Sequence, residues 1–164
     1  LAVGGLVALA FLVWARMQGP LRSPEDAFRD FITPDRDNKF FRTEDQLTDP
    51  LVLAGPRVRP IILNAVRDKN LELRRYAIGY LGCAKYRPAA ETFGQILIDE
   101  SEKDYARGDA LEALWQLNKQ EGLRLARGLV GRNDSLGMVA REIDKGTWTP
   151  SCRSWRDAFI GRHE

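Results

Sequence analysis

Hydrophobic and polar positions are distributed very unevenly along the chain. Residues 1–15 read LAVGGLVALAFLVWA, with no charged or strongly polar side chain. As a helix this run spans about 22 Å at ~1.5 Å per residue, against the ~20 residues that cross a bilayer comfortably. Trp14, Arg16 and Met17 follow as an interfacial margin, and Gln18-Gly19-Pro20 ends the element. The pattern predicts a single transmembrane helix, an uncleaved anchor over residues 1–17. Two alternatives remain. A cleaved signal peptide would leave Phe11 to Trp14 near the mature terminus, and a core helix would carry a polar face. The side of the membrane taken by the rest of the chain stays open.

Residues 18–50 read as a linker holding one short helix. Ser23 is placed to cap it, Pro24 occupies its first position, and Glu25 and Asp26 sit where the helix dipole favours acids. Ala27, Phe28, Phe31 and Ile32 form its apolar stripe, and Thr33-Pro34 stops it. Phe40 and Phe41 interrupt a polar stretch and are expected to dock on the following unit.

From residue 51 the pattern repeats. Arg74, Ala77 and Leu81 recur as Arg107, Ala110 and Leu114, each 33 residues on. Helical stretches precede and follow these copies at Pro60–Asp68, Arg87–Asp99 and Glu121–Gly131, and an eroded third copy runs from Ser135 to Ile143 with Ala140 in the alanine position. The alanines suit close helix approach, and the leucines fill the seam one turn on. A cation near a helix start opposes the dipole, so Arg74 and Arg107 are expected to reach a neighbouring loop, with Asp68 and Asp99 as partners or caps.

Such a period with two helices per unit is the signature of stacked hairpins. The run Leu53-Ala54-Gly55-Pro56-Arg57-Val58-Arg59-Pro60-Ile61-Ile62, followed by Asp68, Arg74, Ala77 and Leu81-Gly82, resembles the HEAT-like repeat of the short bacterial type also found in phycobilisome lyases. The likeness covers about residues 45–145. It implies an all-α fold, an α-solenoid of helical hairpins, with a repeat domain over residues 51–147 and a capping segment over 148–164. The second unit departs from it, with Trp115 and Gln116 where the first has Gly82 and Cys83.

Charge sharpens the picture more than composition does. The 164 residues carry a net charge of +2, which gives no general drive towards nucleic acid. Yet residues 51–90 hold eight bases and two acids, net +6, between flanks of −2 each. The first unit therefore presents a basic face, with Arg57, Arg59, Arg67 and Arg75 as candidate partner-binding residues. The bland alternative pairs these arginines with acids of the linker and of the next unit. Trp148 and Trp155 are added as aromatic anchors, set against a packing role in which a last helix caps the open end of the stack.

Candidate chemistry is sparse. His163 is the only histidine, and two cysteines cannot build a four-cysteine zinc site. No metal site, cofactor site or catalytic residue is assigned. Acids such as Asp99-Glu100 and Glu102-Asp104 read as loop solvation. A Cys83–Cys152 disulfide is conceivable only outside the cytoplasm. The expectation is a non-catalytic, membrane-anchored scaffold, a subunit of a membrane complex that contacts lipid through residues 1–17 and binds a protein partner. A lyase-like or chaperone accessory role is the alternative. Binding of nucleic acid or anionic lipid by the basic first unit is a further one, with nucleic acid disfavoured.

Overall fold

The computed structural model describes residues 23–33 and 44–160. Among these residues the chain is entirely helical, with no strand. The expected anchor over residues 1–17 and the pair Phe40 and Phe41 lie outside the described residues. Within the described residues no helix is long and apolar enough to cross a membrane.

Helix α1 is Pro24–Ile32, capped as expected by Ser23, whose hydroxyl accepts from the Asp26 amide at 3.0 Å. It buries Ala27 and Phe31 and packs on α2, Asp49–Ala54, and on the short turn Gly55–Val58. Helices α3 (Arg59–Ala65), α4 (Arg74–Cys83), α5 (Ala90–Ile98), α6 (Asp104–Leu117), α7 (Lys119–Arg127) and α8 (Ser135–Lys145) follow. A final short helix α9 spans Trp155–Ile160. Two predicted helices are shorter than their apolar patterns. Arg87–Ala89 is a tight turn before α5, with Pro88 in the first turn, where its missing amide leaves no intrahelical bond unmade. Helix α7 stops at Arg127 and passes into tighter turns, in which the Gly128 amide donates to the Leu125 carbonyl at 3.1 Å and the Leu129 amide to that of Ala126 at 2.8 Å.

Helix α6 is the centre of the packing and touches α4, α5, α7 and α8. Close approaches fix the directions. A Cβ on Gly82, near the end of α4, would sit 3.0 Å from Ala113, near the end of α6. Gly108, near the start of α6, faces Val139 and Leu136 at the start of α8. So α4, α6 and α8 run parallel in a row. Gly122 of α7 lies against Trp115 of α6, the geometry of an antiparallel hairpin. Ala77 and Ala110 are fully buried, as the 33-residue pattern predicts, and so is Ala140 of the eroded copy, 30 residues further on.

The repeated arginines resolve their conflict with the dipole by reaching the preceding helix. Arg74 Nε donates to the Val66 carbonyl at 2.7 Å, and Arg107 Nε to that of Leu97 at 2.9 Å. Each cation thus satisfies a carbonyl at a helix C-terminus, where positive charge is favoured. In the third copy Arg141 takes over this task, donating to the carbonyls of Val130 and Arg132 at 3.0 and 2.6 Å. The acids Asp68 and Asp99 turn out to be loop caps, accepting from the amides of Asn70 and Ser101, each at 2.9 Å. The acid that meets Arg74 is Glu102.

The C-terminal segment departs from expectation. It does not close the far end of the stack over α8. Instead residues 148–153 run back across the row, and α9 packs on α2 at the opposite end of the chain. Two links hold it there. Cys152 is disulfide-bonded to Cys83 at the end of α4, and Arg153 forms a two-pronged pair with Asp49 at 2.8 and 3.3 Å. Tail residues therefore complete the first unit, through the contacts of α9 with α2 and the links to Cys83 and Asp49.

Candidate functional site

Together the row and the returning tail enclose a cleft of about 590 Å³. Its floor comes from one face of α4 and the matching face of α6. Tyr76, Gly79 and Cys83 are followed 33 residues later by Asp109, Glu112 and Gln116, so the repeat places the two triplets side by side. Trp148, Ser151 and Cys152 of the tail form one wall, and Glu44 and Thr48 form another.

Two carboxylates dominate the floor. Asp109 faces Arg75, with Oδ2 3.8 Å from Nε, and that buried oxygen accepts no hydrogen bond. Burial raises its pKa to about 7, against the pull of the Arg75 guanidinium and with the push of Glu112. Burial raises Glu112 as well, opposed by Trp148, Gln116 and Arg75. Gln116 donates to Glu112 at 2.9 Å. The Trp148 indole N–H is buried without a partner in hydrogen-bonding geometry, although it lies near enough to Glu112 to draw that pKa back down.

The tyrosines frame the acids. Tyr76 donates its hydroxyl to Glu44, and Tyr80 to the carbonyls of Leu51 and Gly55 at 3.2 and 3.3 Å. Both phenols are pushed up, in each case chiefly by burial. Among the described residues no group of histidine, cysteine, aspartate or glutamate is arranged to hold a metal ion.

Of the residues singled out in the sequence, the cleft gathers Arg75 and Trp148. Arg57 and Arg67 are exposed elsewhere, and Arg59 is half-buried with its guanidinium against Tyr80. Trp155 is half-exposed and stacks on Phe159, ring centres 5.0 Å apart. The pairing of basic residues with the next unit is realised for Lys69, Arg74 and Arg75, which meet Asp99, Glu102 and Asp109.

Sequence reasoning missed Asp109, Glu112 and the strap of residues 148–153. The signal for the acids was present in α6 itself. That helix is enclosed on several sides, so almost every position is apolar or small, and Asp109, Glu112 and Gln116 at i, i+3 and i+7 mark the one open strip. The one signal that the tail returns was the cysteine pair, since the Cys83–Cys152 disulfide raised from the sequence is the bond that ties the tail to α4.

Comparison with protein-family models, with curated proteins and with solved structures finds no match.

Proposed function

We propose that the chain is a non-catalytic binding module, tethered to a membrane by residues 1–17, which holds a segment of a partner protein in the cleft between α4, α6 and the tail. In this reading the hairpins stack as a short HEAT-like α-solenoid. The parallel row of α4, α6 and α8, with α5 and α7 packed against α6, supports that arrangement. The observation that carries the function is the cleft itself, because a concave site with a few convergent polar groups is the usual form of a binding site. Its lining holds Glu44, Asp109, Glu112 and Asp157 against Arg75 and Arg153, and Arg153 is already paired with Asp49. The balance favours a partner segment bearing basic or donor groups.

The Cys83–Cys152 disulfide supports placing the domain on the oxidising side of the membrane, since such bonds persist there and are rare in the cytosol. One observation favours a second reading. A buried carboxyl with a pKa near neutrality beside another acid is suited to acid–base catalysis.

Gly79 supplies the test. It lines the cleft, and a Cβ there meets nothing within 4 Å. A Cβ there is accommodated, so Gly79→Trp aims an indole into the cleft to plug it. Detergent-solubilised full chain is expected to capture its partner, identified by mass spectrometry, and the plugged variant is expected to lose it while remaining folded by circular dichroism with an unfolding midpoint no lower than wild type. Equal capture by both chains would remove the cleft as the binding site. Capture weakened but not abolished in Asp109→Asn is expected of a binding module, since Glu44 and Glu112 remain in the lining.

A further inference from the structure

The two edges of the helical row differ in charge. Because α4 and α6 are parallel, and the end of α2 meets the end of α4 through Tyr80, the turns 55–60, 84–89 and 117–120 share one edge. These three turns contain Arg57, Arg59, Lys85, Arg87 and Lys119 and no acid. The turns of the opposite edge, 66–73, 99–103 and 128–134, mix six acids with four bases. There the charges are tied to each other, as in Lys69 with Asp99 and Arg132 with Asp134.

On the basic edge the cations lack acidic partners among the described residues, and Lys119 lies over the Trp115 ring at 5.2 Å. Arg57, Lys85, Arg87 and Lys119 are exposed, and none of them has an ion pair among the described residues. Arg59 is turned inward onto Tyr80. The nearest acids further along are Glu91 and Glu121, and Glu121 is held by Arg124 at 2.8 and 2.5 Å. Lys85 adds a second sign. It sits at φ +50°, a left-handed position where glycine is the relaxed choice, at the end of α4. A lysine there tolerates backbone strain while placing an ammonium on this edge.

We propose that this basic edge docks on an anionic lipid surface, laying the domain against the membrane beside its own anchor. The proposal rests on the anchor reading for residues 1–17. Continuity favours lipid over other polyanions. Helix α1, the first described element after that segment, packs on the turn Gly55–Val58 that carries Arg57. A charged edge within reach of the bilayer is drawn to acidic headgroups over about one Debye length, ~8 Å at physiological salt.

The test uses the full chain in nanodiscs of neutral phosphatidylcholine, or of the same lipid with one-third phosphatidylglycerol, and maps lysine reactivity with an amine-labelling reagent. Labelling of Lys85 and Lys119 is expected to fall several-fold in the anionic discs and to recover in high salt. Lys103, on the opposite edge, is expected to label equally in both. Arg57→Gln with Arg87→Gln is expected to reduce the protection of Lys119. Lys85→Gly, which relaxes the backbone, is expected to do the same in a chain that remains folded. Equal labelling of Lys85 and Lys119 in the two lipids would overturn the proposal, as would protection that appears only on adding duplex DNA. Alkaline extraction of the full chain from vesicles reports the anchor separately. A chain that is extracted yet still shows lipid-dependent protection removes the anchor and leaves the docking edge standing.

Discussion

Arg74 and Glu102 form a two-pronged ion pair between successive hairpins, with Nη1 to Oε2 at 2.7 Å and Nη2 to Oε1 at 2.9 Å, and each side chain is less than a tenth exposed. The same guanidinium donates to the Val66 carbonyl, so one side chain links α3, α4 and the loop before α6. Arg74→Ala removes all three bonds and is expected to cost about 3 kcal/mol. Glu102→Gln leaves Arg74 bound to Val66 and is expected to cost less, about 1–2 kcal/mol. Arg75→Ala, which removes a half-exposed guanidinium no closer than 3.8 Å to the largely buried Asp109, should change stability by under ~1 kcal/mol. Urea unfolding of the three variants checks the order.

The disulfide between Cys83 and Cys152 spans 69 residues and fastens the tail over the cleft. Cross-linking so long a loop restricts the unfolded chain, and removing the bond with Cys83→Ser and Cys152→Ser is expected to cost about 2–4 kcal/mol. Arg153 and α9 still hold the tail to α2 in that variant, so the helical row should stay folded. Circular dichroism should show native helicity at low temperature and a lowered unfolding midpoint. A reducing agent added to the wild-type chain should give the same midpoint as the double variant.

Asp109 links the cleft to pH. Its folded pKa, about 7, lies above the ordinary value of 3.8, so between those two pH values the folded chain holds a proton that the unfolded chain has lost. The contribution of Asp109 to stability is therefore full below about pH 4 and falls as the pH rises to 7, by at most about 1.4 kcal/mol per pH unit from this one group. Glu112 is shifted in the same direction and adds to the slope. Asp109→Asn is expected to flatten the decline and to be more stable than wild type at pH 8. Unfolding free energies from pH 4 to 8 for both chains test this, and an unchanged slope in the variant would exclude Asp109 as its source.

These relationships also show what a one-dimensional pattern can and cannot carry. Ala77, Ala110, Arg74 and Arg107 were legible because each serves a contact made once per hairpin, so period and chemistry agree. The third copy was only half legible. Ala140 is buried as expected, but the carbonyl-binding arginine moved to Arg141 while Gly137 lies against the Arg132 carbonyl. The motif Asn133-Asp134-Ser135, a sequon by sequence, serves as the cap of α8 through Asp134, which accepts from the Gly137 amide. The cleft was not legible, because its wall depends on Cys152 meeting Cys83 and Arg153 meeting Asp49, pairs 69 and 104 residues apart. Such contacts leave no periodic trace. The basic edge lay between these cases. The excess of bases in residues 51–90 was visible, but that four of them, Arg57, Arg59, Lys85 and Arg87, share one edge with Lys119 while Arg67 and Lys69 lie on the other required the direction of each helix.

Gly122 and Gly94 predict opposite outcomes for the same substitution. Both are helical, so alanine removes backbone freedom from the unfolded chain and should stabilise by about 0.4–1 kcal/mol where space allows. At Gly94 a Cβ meets nothing within 4 Å, and Gly94→Ala is expected to show that gain. At Gly122 the added carbon would overlap the Trp115 backbone and come within 2.5 Å of its Cβ, with no flexible side-chain end to yield. The α6–α7 hairpin must then open, and overpacking of this kind costs about 1–3 kcal/mol. Trp115 also carries Lys119 over its ring at 5.2 Å, so the displaced indole should report the change directly. Gly122→Ala is expected to lower the unfolding midpoint and alter tryptophan emission, whereas Gly94→Ala raises the midpoint and leaves emission unchanged. A neutral or stabilising Gly122→Ala would mean that α7 does not approach α6 as closely as this hairpin requires.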